Sequence, residues 1–185
     1  MTNPLVIFET SRLLIRRLKA DDLMDLCNIC SDSEVMKYVG NSEPLTLDQV
    51  KEWLVVTENN YKTRGFGNYA IIDRYSNLLI GYCGLVYSKQ IQKIELIYAL
   101  NKQHWYLGFA LEASNGMVAF GFEVLKLKAI YASIDPENSA SENILKKLGF
   151  RYVFTENDEF GYPTRYYKIS QTYYDEVRAG REVRE

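Results

Sequence analysis

The chain has 185 residues, of which 47% are apolar and 25% charged, and a formal net charge of −2. That length suits one domain spanning residues 1–185, with a core large enough to fold unaided, and the composition is that of a soluble globular protein. The near-balanced charge excludes nucleic acid as the main partner, no run of about 18 apolar residues could span a membrane, and no export signal is read at the N-terminus, so a cytoplasmic location is expected.

Residues 12–18 (RLLIRRL) read as a strand with apolar Leu14 and Leu18 between arginines. Residues 20–30 read as a helix. Asp21 and Asp22 suit its first turn, and Leu23, Leu26, Cys27 and Cys30 form a stripe at spacings of three and four. Cys27 and Cys30 are spaced C-x-x-C, but with only three cysteines and one histidine in the chain they read as buried thiols rather than a redox or metal pair. Residues 41–44 are a turn. Residues 46–62 are the next helix, with Thr46 and Gln49 spaced as a capping box. Gly65-Phe66-Gly67 ends it. Lacking a third glycine and a following helix, that pair is not a dinucleotide loop.

Residues 67–73 and 78–88 form a hairpin, in which Gly81 and Gly84 suggest a bulge or a close backbone approach. Residues 94–100 are the next strand, rich in β-branched and aromatic side chains. Polar, then aromatic, residues 101–107 lead to Gly108, where a helix to about residue 124 begins. Ala110, Ala113, Met117, Phe120 and Val124 are its buried face. A helix start carries free N–H groups and a positive dipole end, and a glycine lets a bulky anion approach the main chain. Residues 105–110 are therefore a candidate phosphate cradle, unless Gly108 merely closes a turn. Residues 128–134 are a strand stopped by Asp135-Pro136. Asn138 or Ser139 caps the following helix, Ser139 and Glu142 having capping-box spacing, and Gly149 ends it. Residues 150–156 and 165–170 read as a closing antiparallel pair, and residues from 171 onward as a short polar helix or tail. A meander of strands with helices after the first and fourth is α+β.

The stretch W-Y-L-G-F-A-L-E-A, following the strand that ends Tyr98-Ala99-Leu100, resembles the coenzyme A loop of GNAT-fold N-acetyltransferases. It looks most like their ribosomal-protein-alanine acetyltransferase-like branch. Trp105, Gly108, Ala110, Glu112 and Ala113 match. Tyr106 stands where a glycine is usual, Leu107 where a basic residue is common, and Leu111 where threonine is common. A second match is the segment 135–150, carrying Asn138, Ser141, Lys147, Leu148, Gly149 and Phe150. The opening T-S-R-L-L-I-R, followed by Asp21-Asp22 and S-D-S-E-V-M-K-Y-V-G, resembles the start of the same branch.

The resemblance implies a mixed, mostly antiparallel sheet of about seven strands, with helices on both faces and the fourth and fifth strands splayed. It implies acetyl-CoA as acetyl donor and no metal. Cofactor contacts would fall on Tyr98, Ala99, Leu100, Trp105, Tyr106, Leu107, Gly108, Phe109, Ala110, Asn138 and Ser141, though Asn138 and Ser141 are also ordinary helix-start residues. The acceptor would be a primary amine, on a protein N-terminus or a small molecule, attacking directly in a ternary complex. The protein would be a monomer or homodimer. Many relatives use a tyrosine as acid where this chain has Leu145, which leaves Ser141 as the thiolate partner. Glu95 is the candidate base, or else a solvated residue at a strand start. Glu112 reads as support for the loop, and His104 as a surface turn residue. Tyr106, Leu107 and Leu145 motivate an alternative, an acyl-CoA-binding sensor or interaction module impaired in catalysis.

Overall fold

A computed structural model describes residues 6–182. Residues 1–5 and 183–185, the ends of the expected domain and the start of the segment read for an export signal, lie outside the described residues. One sheet contains β1 (Val6–Glu9), β2 (Leu13–Arg17), β3 (Asn68–Asp73), β4 (Leu79–Ser88), β5 (Lys93–Leu100), β6 (Ala129–Ile134), β7 (Arg151–Asn157) and β8 (Pro163–Ser170). Their spatial order is β1-β2-β3-β4-β5-β6-β8-β7, antiparallel except for β5 against β6. The architecture is the expected α+β one, with eight strands rather than about seven. The extra strand is β1, four residues on the sheet edge against β2.

Strand alternation sends side chains to two cores. From β3, Tyr69 and Ile71 join one core while Ala70 and Ile72 join the other. The first core is covered by α4 (Phe109–Ala119) through Ala113, Met117 and Val118, and by α5 (Ser139–Lys147) through the fully buried Leu145. The second is covered by α1 (Leu23–Cys30), α2 (Ser33–Met36) and α3 (Leu47–Arg64), which bury Leu26, Ile29, Val35, Met36 and Val50. Helix α6 (Gln171–Glu182) closes the described chain. Among the described residues no helix is long and apolar enough to cross a membrane.

Local signals explain most boundaries. Thr46 and Gln49 form the reciprocal cap of α3, and Gly65 ends that helix at φ 80°. Helix α4 runs on into a wide turn over Phe120–Val124, so the helical path ends where its apolar spacing does. The two strand glycines mark close approaches. A Cβ on Gly81 would lie 2.4 Å from the Ala99 carbonyl oxygen, and one on Gly84 2.4 Å from that of Gly67. The bulge falls beside Gly81, where Ile71 pairs with Gly81 but Ile72 with Leu79, leaving Ile80 extra.

Two local expectations change. The helix expected over 20–30 begins as a single tight turn, Ala20–Asp22, before α1. Asp22 does not sit on the solvated first turn; it is buried in a two-pronged ion pair with Arg16, at 2.7 and 2.8 Å. The second concerns α5. Asn138 is its cap, accepting from the Ser141 N–H at 3.0 Å. The Ser139–Glu142 box does not form, because Glu142 turns to the Tyr167 hydroxyl and Lys146.

The Arg16–Asp22 pair holds β2 to the start of α1, with both side chains nearly inaccessible. Removing one partner strands a buried charge. Asp22→Ala is therefore expected to cost about 3–5 kcal/mol in urea unfolding, against near zero for the exposed Lys51–Asp48 pair broken by Asp48→Ala.

Candidate active site

The β5–β6 contact shapes the site. Strand β5 pairs with β4 at eight positions, from Lys93 to Leu100. On its other side it meets β6 in register only at Glu95, opposite Tyr131. Beyond that point the strands part, leaving the Tyr98–Leu100 edge without a strand partner.

The parted strands open into a cleft of about 630 Å³. Its walls are Tyr98, Ala99 and Leu100 of β5, the loop and first turn of α4, Asn138 and Ser141 at the start of α5, and Val35 with Tyr38 beside α2. Of the expected cofactor contacts, Tyr98, Ala99, Leu100, Trp105, Tyr106, Gly108, Phe109, Ala110, Asn138 and Ser141 are brought together here. Leu107 is not. Its side chain is exposed, and its carbonyl accepts from Arg12 Nη1 at 2.9 Å.

The loop is fixed from both ends. The Trp105 indole N–H donates to the Leu100 carbonyl at 2.8 Å, tying the loop to the end of β5. Tyr106 has φ 61° and Gly108 φ 82°, both left-handed. Tyr106 thus adopts the backbone of the glycine usual at its position, and the residue is 93% exposed. A side chain there costs roughly 1–2 kcal/mol in strain. The first intrahelical bond of α4 runs from the Glu112 N–H to the Gly108 carbonyl at 3.0 Å. The N–H groups of Phe109, Ala110 and Leu111 precede it, and no side chain caps them.

Glu112 faces away from those donors. Its carboxylate accepts from the Thr10 hydroxyl at 2.5 Å, the Arg12 N–H at 3.1 Å and Arg12 Nε at 2.7 Å. Burial raises its pKa, but the Thr10 and Arg12 hydrogen bonds outweigh burial and hold the carboxyl below the usual range. Arg12 also stacks over the Phe109 ring at 4.4 Å. The β1–β2 turn therefore braces the first turn of α4.

Glu95 does not line the cleft. It is 8% exposed, one carboxylate oxygen has no hydrogen-bond partner among the described residues, and burial pushes its pKa up against the opposing Ser133 and Ser88 hydroxyls. His104 ends the short turn Lys102–His104 and lines the cleft half-buried, with Nδ1 unpartnered among the described residues. Cys30 and Cys83 are buried free thiols. Burial, with Cys27 nearby, raises Cys30 to about 12, and burial raises Cys83 as well. Among the described residues no group of three or more His, Cys, Asp or Glu could hold a metal ion.

Sequence reasoning missed the wall beside α2 and the Lys147 and Lys37 side chains at the cleft. A four-residue helix has no readable period. Lys147 was visible as part of the K-K-L-G-F run, but its direction was not.

Residues 12–151 match the family model of the acetyltransferase (GNAT) domain. The chain is 34% identical over 145 residues to a Bacillus licheniformis protein named as the uncharacterized N-acetyltransferase p20, covering 77% of this chain and 80% of that one. The GNAT-family acetyltransferase from Bacillus anthracis superposes with a TM-score of 0.75 at 25% identity, over 89% of this chain and 98% of that one. The Vibrio cholerae spermidine N-acetyltransferase, solved with CoA and spermine, has the same fold (TM-score 0.75, 22% identity, 89% and 99% coverage).

The Glu95 carboxyl gives a pH signature. Its protonated form favours the fold, an advantage fully present below the ordinary value of 4.5 and lost as pH rises through the raised folded pKa. Glu95→Gln, neutral at every pH, should melt close to the wild type near pH 4 and above it at pH 8. Melting temperatures that stay parallel across that range would contradict the shift.

Proposed function

The chain belongs to the GNAT acetyltransferase family, and from that premise we propose that this acyltransferase moves the acetyl group of acetyl-CoA to a primary amine by direct attack within a ternary complex. One observation carries the assignment of the cleft: open N–H groups at the start of α4 lead, through left-handed Gly108, into a cavity that ends on the unpaired edge of β5. An elongated ligand, anionic at one end and amide-bearing at the other, fits that sequence of donors. The fold neighbour solved with CoA and spermine supports the same choice.

In this reading the Phe109, Ala110 and Leu111 N–H groups hold the pyrophosphate, with Lys147 supplying the cation that Leu107 does not. The β5 edge at Tyr98–Leu100 binds the pantetheine amides and offers a preorganised donor to the oxyanion, typically worth a few kcal/mol. The Asn138 carbonyl oxygen is spent on its helix, so its amide N–H₂ is the group left for the ligand. Ser141 partners the departing sulfur. Acetyl-CoA supplies the activated thioester. Cys30 and Cys83 do not serve as nucleophiles, since burial keeps both thiols protonated.

Glu95 and Tyr98 point to opposite faces of β5. The amine therefore enters from the Glu95 face while the thioester lies along the Tyr98 face. Glu95 takes the amine proton through a water relay, and burial raises its pKa above the ordinary carboxylate value, which makes it a stronger base. The branch resemblance supports a protein N-terminus as acceptor, and the spermine-bound neighbour a small polyamine. Tyr106 keeps the loop's glycine-like turn, which supports a working cofactor site over a module that has lost turnover.

Calorimetry tests the cofactor site. Acetyl-CoA is expected to bind in the micromolar range and to lose that binding in Gly108→Trp; at 100 times its dissociation constant it should add about 2.7 kcal/mol of stability. No heat with the wild type would refute the reading. Thiol release with spermidine and with an N-terminal alanine peptide then separates the two acceptor classes. With the better acceptor, Glu95→Gln should lower kcat about 100-fold at unchanged acetyl-CoA affinity.

A further inference from the structure

The face of β5 that carries Glu95 continues across the sheet, on the side opposite Tyr98. Residues opposite one another in neighbouring strands share a face. Glu95 lies opposite Tyr131, Ser133 opposite Tyr166, Tyr166 opposite Phe154, and Thr164 opposite Glu156. Tyr166 is the floor of this stretch, 2% exposed, with the Phe154 ring stacked on it at 4.6 Å. Burial, and then the charges of Glu95, Asp158, Glu156 and Glu159, raise its phenol to about 12. Three of those carboxylates come from the end of β7 and the β7–β8 loop. Asp158 holds the loop, accepting from the Phe160 and Tyr162 N–H groups at 2.9 Å each, and leaves both aromatic residues half exposed. Gln90 of the β4–β5 turn donates to the Asn157 carbonyl at 2.9 Å, so turn and loop meet beside this face.

The loop acids alone would be a solvated rim. Glu95 changes that: it is 8% exposed, one carboxylate oxygen has no hydrogen-bond partner among the described residues, and it bears on the same phenol as the rim. A buried acceptor left open on an acidic, aromatic face calls for a cationic donor. Strand β8, which floors the face, is paired on both edges, with β6 and with β7, so the floor offers side chains and no free main chain. A peptide would bring amides that find no partner there; a linear polyamine brings only amines and methylenes. Lys168, on the same face, lies in the Glu95 row, over the Tyr131 ring at 5.7 Å. A cation there favours the neutral, nucleophilic form of a nearby amine and leaves the loop end to the carboxylates.

We propose that this face is the acceptor site and that its acceptor is a linear polyamine: the reacting amine lies beside Glu95, and a second, protonated nitrogen is held by the Glu156 and Glu159 carboxylates beside Phe160 and Tyr162. This deepens the acetyl-transfer reading above and rests on it. The terminal nitrogen forms the C–N bond to the acetyl carbon as the C–S bond breaks. Sulfur leaves with the electron pair and takes a proton from solvent. The proton shed by nitrogen passes through the Glu95 relay to solvent, and the second nitrogen stays protonated throughout.

The test is thiol release by the full chain with acetyl-CoA, using spermidine, hexylamine and an N-terminal alanine peptide. Spermidine should exceed both others in kcat/KM. Replacing the rim carboxylates together, Glu156→Gln with Glu159→Gln, should lower the spermidine-to-hexylamine ratio about 10-fold, through KM with kcat retained. Glu156→Asp with Glu159→Asp should keep most of the ratio, and added salt should shrink it in the wild type. Calorimetric binding of spermidine to the CoA-loaded protein should weaken about 10-fold in the double Gln variant. Both glutamates are exposed, so that variant should melt with the wild type. A ratio unmoved by the double Gln substitution, a peptide turned over faster than spermidine, or no spermidine binding to the CoA complex overturns the polyamine assignment while the cofactor site stands. Failure of the wild type to bind acetyl-CoA overturns both.

Discussion

Two adjacent parallel strands that meet at one register position and then part are the constraint on which the site depends. A strand edge inside a protein presents backbone groups that must find partners. Strand β4 satisfies one side of β5 along its whole length, but β6 satisfies the other only at Glu95. What remains is a short stretch of donors and acceptors facing a cavity. The starts of α4 and α5 converge on the same opening, one with uncapped N–H groups and the other with Asn138 and Ser141.

Holding that opening in shape takes support from outside it. The β1–β2 turn reaches across to α4 through Thr10, Arg12 and Glu112, and Arg12 touches both the Leu107 carbonyl and the Phe109 ring. Trp105 ties the other end of the loop to β5. Between these anchors Tyr106 is kept in a left-handed conformation that a tyrosine rarely adopts. Strain of this kind persists only where the surroundings over-determine it. The departures from the usual loop sequence therefore change side chains at its surface while its backbone path is retained.

Two of the unsatisfied buried atoms among the described residues lie on β5. Glu95 and Tyr98 lie on opposite faces of β5, three residues apart, and each has an oxygen with no hydrogen-bond partner among the described residues. Both are less stable arrangements than an apolar pair would give, and burial pushes both pKa values up. The Arg16–Asp22 pair shows the contrast. It is as deeply placed, but each partner answers the other, and it serves to join β2 to α1.

Much of this was legible in the sequence. Periodicity located seven strands and the long helices, because burial on one face repeats every two or 3.6 residues. Capping chemistry placed Thr46 and Gly108, since both act within a few residues of themselves. Local motif order also gathered ten of the eleven expected contacts, which then line one cleft. The edge strand β1 and the four-residue α2 were too short to carry a period. The Ser139–Glu142 spacing misled because Tyr167, distant in sequence, offers Glu142 a better partner. Which atoms go unpaired is likewise decided by tertiary structure. Strand alternation assigns Glu95 and Tyr98 to opposite faces, but only the packing around β5 decides which hydroxyls reach them: Ser133 and Ser88 for Glu95, Ser141 for Tyr98. Pairing across a sheet depends on residues far apart in the chain, so the sequence by itself determined the elements and their order, and the tertiary structure decided where two of them fail to meet.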